Sequence, residues 1–349
     1  MADETLSCNT GNEYDGRIGL RVAALFIIWV TSTIGAVFPI FAKRKSGMRV
    51  PEWAFFIAKY FGSGVIVATA FVHLLGPAED ALRNPCLTGP ITDYTWVEGI
   101  ILMTVFVLFF IELMVMRYGR FDDAGARQRC ELQEASEPGT NVDQKKLSGI
   151  PDSTIQGRTM PGEDHLGHAH HHTDIEQVGN PYSLEDYRAQ MTAIFILEFG
   201  IIFHSIFIGL TLAVAGSEFN TLFIVLIFHQ TFEGLGLGSR LAITPWPEMK
   251  RWTAYILALA YGFSTPIAIG AGLGVRKTYL PGSQTTLIVN GVFDSISAGI
   301  LIYTGLVELM AHEFMFSNTM RKAELKHVLA AFGLMCLGAA LMALLGKWA

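Results

Sequence analysis

The sequence predicts an all-α integral membrane protein with eight transmembrane helices. Three observations carry that prediction. Of 349 residues, 51% are hydrophobic and only 16% charged, a balance that a soluble domain of this size does not show. A bilayer core about 30 Å thick needs about 20 apolar residues of helix, and eight such stretches occur, at 20–41, 53–76, 96–117, 190–215, 219–239, 253–275, 285–312 and 327–346. Ionisable side chains are rare inside them: Lys59, His73, Glu112, Glu198, His204, His229, Glu233, Asp294 and Glu308.

The chain divides into an N-terminal tail (1–19), helices one to three (20–117), a long connection (118–187) and helices four to eight (188–349). The tail is acidic and has neither the basic flank nor the small-residue cleavage site of a signal peptide, so the first span is expected to stay. Eighteen Lys and Arg fall in the odd-numbered connections and six on the other side. The excess puts the odd connections in the cytosol and both termini outside. Under this topology Cys8 and Cys86 lie outside, where a disulfide is permitted. A net charge of −6 offers no basic patch for nucleic acid.

The second span carries Lys59 near its inner edge and His73 near its outer end, and the third carries Glu112 near its inner edge. Snorkelling accounts for Lys59 and Glu112. The connection 118–187 is rich in Gly, Asp, Glu, Gln, Ser and Pro and poor in aromatics, the composition of a disordered linker. Within it, "HLGHAHHH" sets His165, His168, His170, His171 and His172 on a flexible chain, a pattern suited to loose metal capture or sensing.

The fourth and fifth spans hold the chemistry. A charge at the bilayer centre costs about 2.5–3.5 kcal/mol on insertion scales, so each one asks for a partner or a purpose. "HQTFEGLGLG" sets His229 and Glu233 four residues apart, one turn apart on one helix face. "FHSIFIGLTL" places His204 and Ser205 inside the preceding span. A single membrane histidine is as readily a hydrogen-bonded core residue. Two histidines and a carboxylate at one depth, with Lys59 the one cation counted inside the spans, instead call for a cation from outside. Imidazole and carboxylate suit Zn²⁺ at about 2.0–2.2 Å and accept Fe²⁺ with less preference. Ser205 and Gln230 are weaker oxygen donors beside them. Such a metal is cargo, with no catalytic cofactor expected.

In the sixth span Pro266 removes a helical hydrogen bond and could frame a cavity. The glycines 234, 236 and 238 let helices approach closely. The seventh span begins with Asp294 at the outside and ends with Glu308, His312 and Glu313. Acids and histidines thus recur at an entrance (His73, Asp294), a centre (His204, His229, Glu233, Ser205, Gln230) and an exit (Glu198, Glu308, His312).

"FHSIFIGLTL" followed by "HQTFEGLGLG" resembles the paired signature of the ZIP family, the Zrt- and Irt-like metal transporters, in its fungal and plant branch. "GVIVATAFVHLL", "LEFGIIFHS" and "SAGILIYTGLVEL" are similar to that family's second, fourth and seventh spans. The resemblance implies import of Zn²⁺, and in some members Fe²⁺, into the cytosol. It also implies a 3+2+3 bundle in which the first and last three spans are inverted repeats, and assembly as homodimers. His204, His229 and Glu233 fall on the family's central-site positions. Some members have an acid where Ile208 stands, which builds a second adjacent site; Ile208 cannot ligate, so one main site is expected here. With no organelle address in the sequence, the plasma membrane is the default location.

Two other classes compete. An intramembrane zinc hydrolase would require a general base, typically in HExxH, and no HExxH occurs. A cation-diffusion-type exporter shares a His-rich cytosolic loop but resembles six-span proteins with a folded C-terminal domain, whereas this sequence ends at "GKWA" directly after its last span.

Overall fold

A computed structural model describes residues 14–45, 50–134, 184–246, 250–277 and 280–348, with only the backbone for residues 116, 118–134, 184–189 and 318. The loop histidines His165, His168, His170, His171 and His172 and the tail Cys8 lie outside the described residues. Cys86 is disulfide-bonded.

Eight helices are long and apolar enough to cross a bilayer: α1 Ile18–Arg44, α2 Glu52–Leu82, α3 Trp96–Val115, α4 Gln190–Val214, α5 Phe219–Ile243, α6 Thr253–Val275, α7 Gln284–Lys322 and α8 Leu325–Leu345. No strand occurs among the described residues. The helices alternate in direction between two faces. The first face carries the start of α1, the end of α8, the connections 83–95 and 215–218, and residues 276–277 and 280–283. The second carries the opposite helix ends.

Helix pairing has an internal symmetry. α1 packs on α5 as α6 packs on α4, α2 on α8 as α7 on α3, and α2 on α5 as α7 on α4. Exchanging α1 with α6, α2 with α7, α3 with α8 and α4 with α5 therefore maps each pairing onto another. α2 and α7 share a further feature, a stretch of wide π-type turns at Thr69–Leu75 and Thr304–Phe316. Such turns insert an extra residue per turn and recur at functional sites. In α2 the helix restarts at Gly76 with Pro77 in its first turn, where a missing N–H costs little. This restart carries α2 on to Leu82, beyond the 76 that hydropathy predicts.

Small residues set the helix spacing. A Cβ on Gly236 would lie 2.9 Å from the Gly62 Cα, so α5 and α2 meet backbone to backbone. Gly209 of α4 is held equally close to Thr265 and Ala268 of α6. α6 runs through Pro266 without ending. The Gly262 carbonyl, four residues back, receives no backbone donor from it. Instead the Ser32 hydroxyl of α1 donates to that oxygen at 3.4 Å.

Several basic residues counted as loop or snorkelling groups in the sequence are structural. Arg21 lies in the first turns of α1 and is fully buried. Its guanidinium donates to the carbonyls of Leu212 (3.1 Å) and Ala213 (3.0 Å) and to that of Ala215, and stacks 4.5 Å over Phe219. It caps the C-terminus of α4, where a cation complements the helix dipole. Arg240 lies within α5 and donates to Ser63 Oγ at 2.8 Å. Lys59 pairs with Glu313, whose Oε1 also accepts from the Tyr60 hydroxyl at 3.1 Å, and Tyr303 donates to Glu112. Snorkelling is thus not the whole account of Lys59 and Glu112, because helix-to-helix partners were invisible to hydropathy.

Candidate metal site

Local geometry brings the three central residues together. The connection from α4 to α5 is only residues 215–218, so the two helices are antiparallel neighbours. His204 stands ten residues before the end of α4 and His229 ten residues after the start of α5. At 1.5 Å per residue both lie about 15 Å from the first face, half the thickness of a bilayer core. Glu233 follows His229 by one turn.

One ligand atom from each of His204, His229 and Glu233 lies within 4.8 Å of the other two. All three residues are buried, at 1%, 1% and 0% exposure. The His204 and His229 ring centroids are 5.6 Å apart. His229 Nε2 and Glu233 Oε2 are 3.7 Å apart, too far for a hydrogen bond. Two ligands on one tetrahedral zinc sit roughly 3.4 Å apart, given bonds of about 2.0–2.1 Å. The cluster is therefore within a small side-chain adjustment of holding a cation.

The polar atoms here have no other use. Both nitrogens of His204, Nε2 of His229 and both oxygens of Glu233 have no hydrogen-bond partner, and neither do Ser205 Oγ or the side-chain amide of Gln230. Buried polar groups are normally paired, and a buried unpaired carboxylate is costly. The cations omitted from the sequence count do not relieve them: Arg21 serves carbonyls and Arg240 reaches Ser63. A divalent ion would engage one nitrogen of each histidine and the Glu233 carboxylate, with the Ser205 hydroxyl and the Gln230 carbonyl oxygen as further oxygen donors. Tyr261 stiffens this part of α5, its hydroxyl donating to the Gln230 carbonyl at 2.5 Å.

A cavity of about 440 Å³ leads from the first face to the cluster, with Asp80, His73 and Asp294 on its walls and His204, Ile208 and His229 deeper in. His73 is closer to the centre than the sequence suggests. Its ring meets that of His229 edge-on, with centroids 4.8 Å apart, while its Nε2 lies 3.0 Å from the Met342 carbonyl of α8. The wide turns at Thr69–Leu75 set this placement, and residue spacing alone carries no signal for them. Asp80, four residues past the end of the 53–76 span that hydropathy predicts, is part of the wall because α2 continues to Leu82.

Glu198 lies six residues before His204, about 9 Å further along α4. It is 3% exposed and both its oxygens lack a partner. Glu308 and His312 form a separate pair, His312 Nδ1 to Glu308 Oε2 at 3.1 Å, in the wide turns of α7. The structure thus joins His73 and Asp294 to the central cluster through one cavity, and keeps Glu198 and the Glu308–His312 pair apart from it. Ser205 and Gln230 are chain neighbours of His204 and His229 and are fully buried.

Known proteins share this arrangement of sequence. Residues 18–346 match the profile of the family described as ZIP Zinc transporter. The chain is 45% identical to Zinc-regulated transporter 2 of Saccharomyces cerevisiae, over 99% of this chain and 98% of that protein. It is 38% identical to Zinc-regulated transporter 1 of Schizosaccharomyces pombe, over 99% and 90%. It is 31% identical to Zinc transporter 3 of Arabidopsis thaliana, over 98% and 89%. With eight apolar helices, a buried His/His/Glu cluster at mid-depth and a family match over nearly its whole length, the chain belongs to the ZIP family of zinc transporters.

Proposed function

We propose that the protein imports divalent metal, with zinc as its main cargo, across the plasma membrane into the cytosol through the His204, His229 and Glu233 site. The observation that carries this reading is the trio of buried, unpartnered ligands, of which His204 and His229 line a cavity that starts at one face. The relatives' names, two zinc-regulated transporters and one zinc transporter, agree with the choice of metal. In this reading the first face and both termini are outside, following the Lys and Arg bias. Homodimer assembly, implied by the family resemblance, belongs to the same reading.

The steps follow from ligand chemistry. A hydrated ion enters between His73 and Asp294, where carboxylate and imidazole replace part of its water. It then moves to His204, His229 and Glu233, with Ser205 and Gln230 as weak oxygen donors. Rocking of the two symmetry-related helix sets exposes it to Glu198 and then to Glu308 and His312 at the second face. The loop histidines receive metal in the cytosol. Ligands bind metal only when deprotonated, so protons compete and uptake weakens as pH falls. Neither the hydrolase nor the exporter class draws support from the family match.

The test is uptake of radioactive zinc by transporter-deficient cells. His204→Ala and Glu233→Ala, each at normal surface abundance, are expected to lose accumulation. Wild-type rates in both would overturn the site, and zinc efflux by the unmodified protein would overturn the direction.

A further inference from the structure

At the second face lies a second cavity of about 490 Å³, which none of the proposed metal ligands lines. Arg44, at the end of α1, and Arg251, two residues before α6, line it with Thr244, Trp246, Trp252 and Tyr255. No acidic side chain lines it among the described residues. The Arg44 guanidinium lies 5.0 Å from the centroid of the Tyr255 ring and donates to the Arg251 carbonyl. That grip fixes one guanidinium plane and leaves its remaining N–H groups for another acceptor. Trp246 is held as a wall by its indole N–H, which donates to the Leu241 carbonyl at 2.9 Å.

Beside the pocket lies exposed apolar surface. Trp252 is 64% exposed and Ile256, one turn along α6, is 63% exposed. This is the pattern of an interfacial belt, with an aromatic ring at headgroup level and an aliphatic residue below it. Lys43 and Lys45 flank Arg44 on α1, and Lys250 precedes Arg251. Guanidinium forks match phosphate oxygens in pairs. A basic pocket between membrane helices on the side of the anionic leaflet attracts anionic headgroups, at about 1 kcal/mol per basic side chain.

We propose that this cavity binds the phosphate of an anionic phospholipid headgroup, with Arg44 and Arg251 as the phosphate ligands and the Trp252–Ile256 surface seating the upper acyl chain. Assigning it to the cytosolic leaflet rests on the orientation given under Proposed function. The binding itself does not, and neither does its test.

The test is native mass spectrometry of the full chain, purified in detergent and equilibrated with equal amounts of phosphatidylserine and phosphatidylcholine. The wild-type protein is expected to retain phosphatidylserine preferentially. Arg44→Gln and Arg251→Gln should each lower that retention about fivefold, the change that corresponds to one basic contact. Arg321→Gln with Lys322→Gln, exposed charges elsewhere on the same face, should leave it unchanged. Equal loss in that control, or no loss in the two arginine variants at unchanged melting temperature, overturns the site. Full displacement of the lipid by millimolar inorganic phosphate overturns the lipid assignment in favour of a soluble anion. Should the variants fail to fold, quenching of wild-type tryptophan fluorescence by brominated lipids decides: stronger quenching by phosphatidylserine than by phosphatidylcholine supports the proposal, and equal quenching refutes it.

Discussion

Replacing Gly236 by alanine perturbs the site without touching a ligand. The added Cβ would stand 2.9 Å from Gly62 Cα and 3.0 Å from Gly62 O, whereas ordinary contact begins at 3.4 Å. Both neighbours are backbone, so α5 and α2 must part by about 0.5 Å. α5 carries His229 and Glu233, and α2 carries His73 against the His229 ring. A working metal site keeps its distances within about 0.2 Å, so the displacement exceeds what coordination tolerates. Overpacking of this kind costs about 1–3 kcal/mol. The part relieved by parting the helices should weaken zinc binding, by at most roughly a hundredfold at about 1.4 kcal/mol per tenfold, and the rest should lower the melting temperature. Gly333→Ala on α8, where an added Cβ meets nothing within 4 Å, is the control. Zinc titration against a chromophoric chelator and thermal unfolding of the purified chain measure both quantities. Unchanged affinity and unchanged stability in Gly236→Ala would refute the claim that this contact sets the ligand spacing.

Other consequences follow from single residues. Ile208 lines the cavity beside His204, one turn further along α4, so Ile208→Asp should let the centre hold a second zinc; elemental analysis that still gives one central ion would contradict this. Arg21→Met strands the carbonyls of Leu212, Ala213 and Ala215. Orphaned buried acceptors cost about 1–3 kcal/mol each, so the variant should unfold at clearly lower temperature, and an unshifted melt would remove Arg21 as the cap of α4. Just before α1, the Arg17 and Arg21 guanidiniums hold the Asp15 carboxyl below its ordinary range. Its folded pKa is depressed, so its contribution is full above about pH 4 and fades as pH falls through the lowered value. Asp15→Asn should therefore lower stability at neutral pH and converge with the unmodified chain in acid; a constant offset at all pH values would contradict that.

The eight helices were legible because lipid solvation demands about 20 apolar residues regardless of what packs where. The central site was legible for the same reason, since His204, His229 and Glu233 stand out against an apolar background and the helix period puts the last two on one face. Features set by tertiary contact were not. The wide turns at Thr69–Leu75 and Thr304–Phe316 carry no sequence period, so the approach of His73 to His229 could not be read. The extension of α2 to Leu82 brought Asp80 into the cavity wall. Arg21 and Arg240 sit close enough to helix ends to be read as loop charges, and only the reach of the Arg21 side chain to the end of α4 and the packing of α5 on α2 reveal their partners. The premise that the spans hold one cation was thus incorrect. What points to a cation is instead the set of unpartnered atoms on His204, His229 and Glu233.

The most direct test of the account is the position of the metal itself. In crystals of the full chain grown with zinc, anomalous scattering should place an ion about 2.0–2.2 Å from one nitrogen of His204, one nitrogen of His229 and one oxygen of Glu233. A strongest intramembrane peak elsewhere, with those three side chains ordered and unligated, would contradict it.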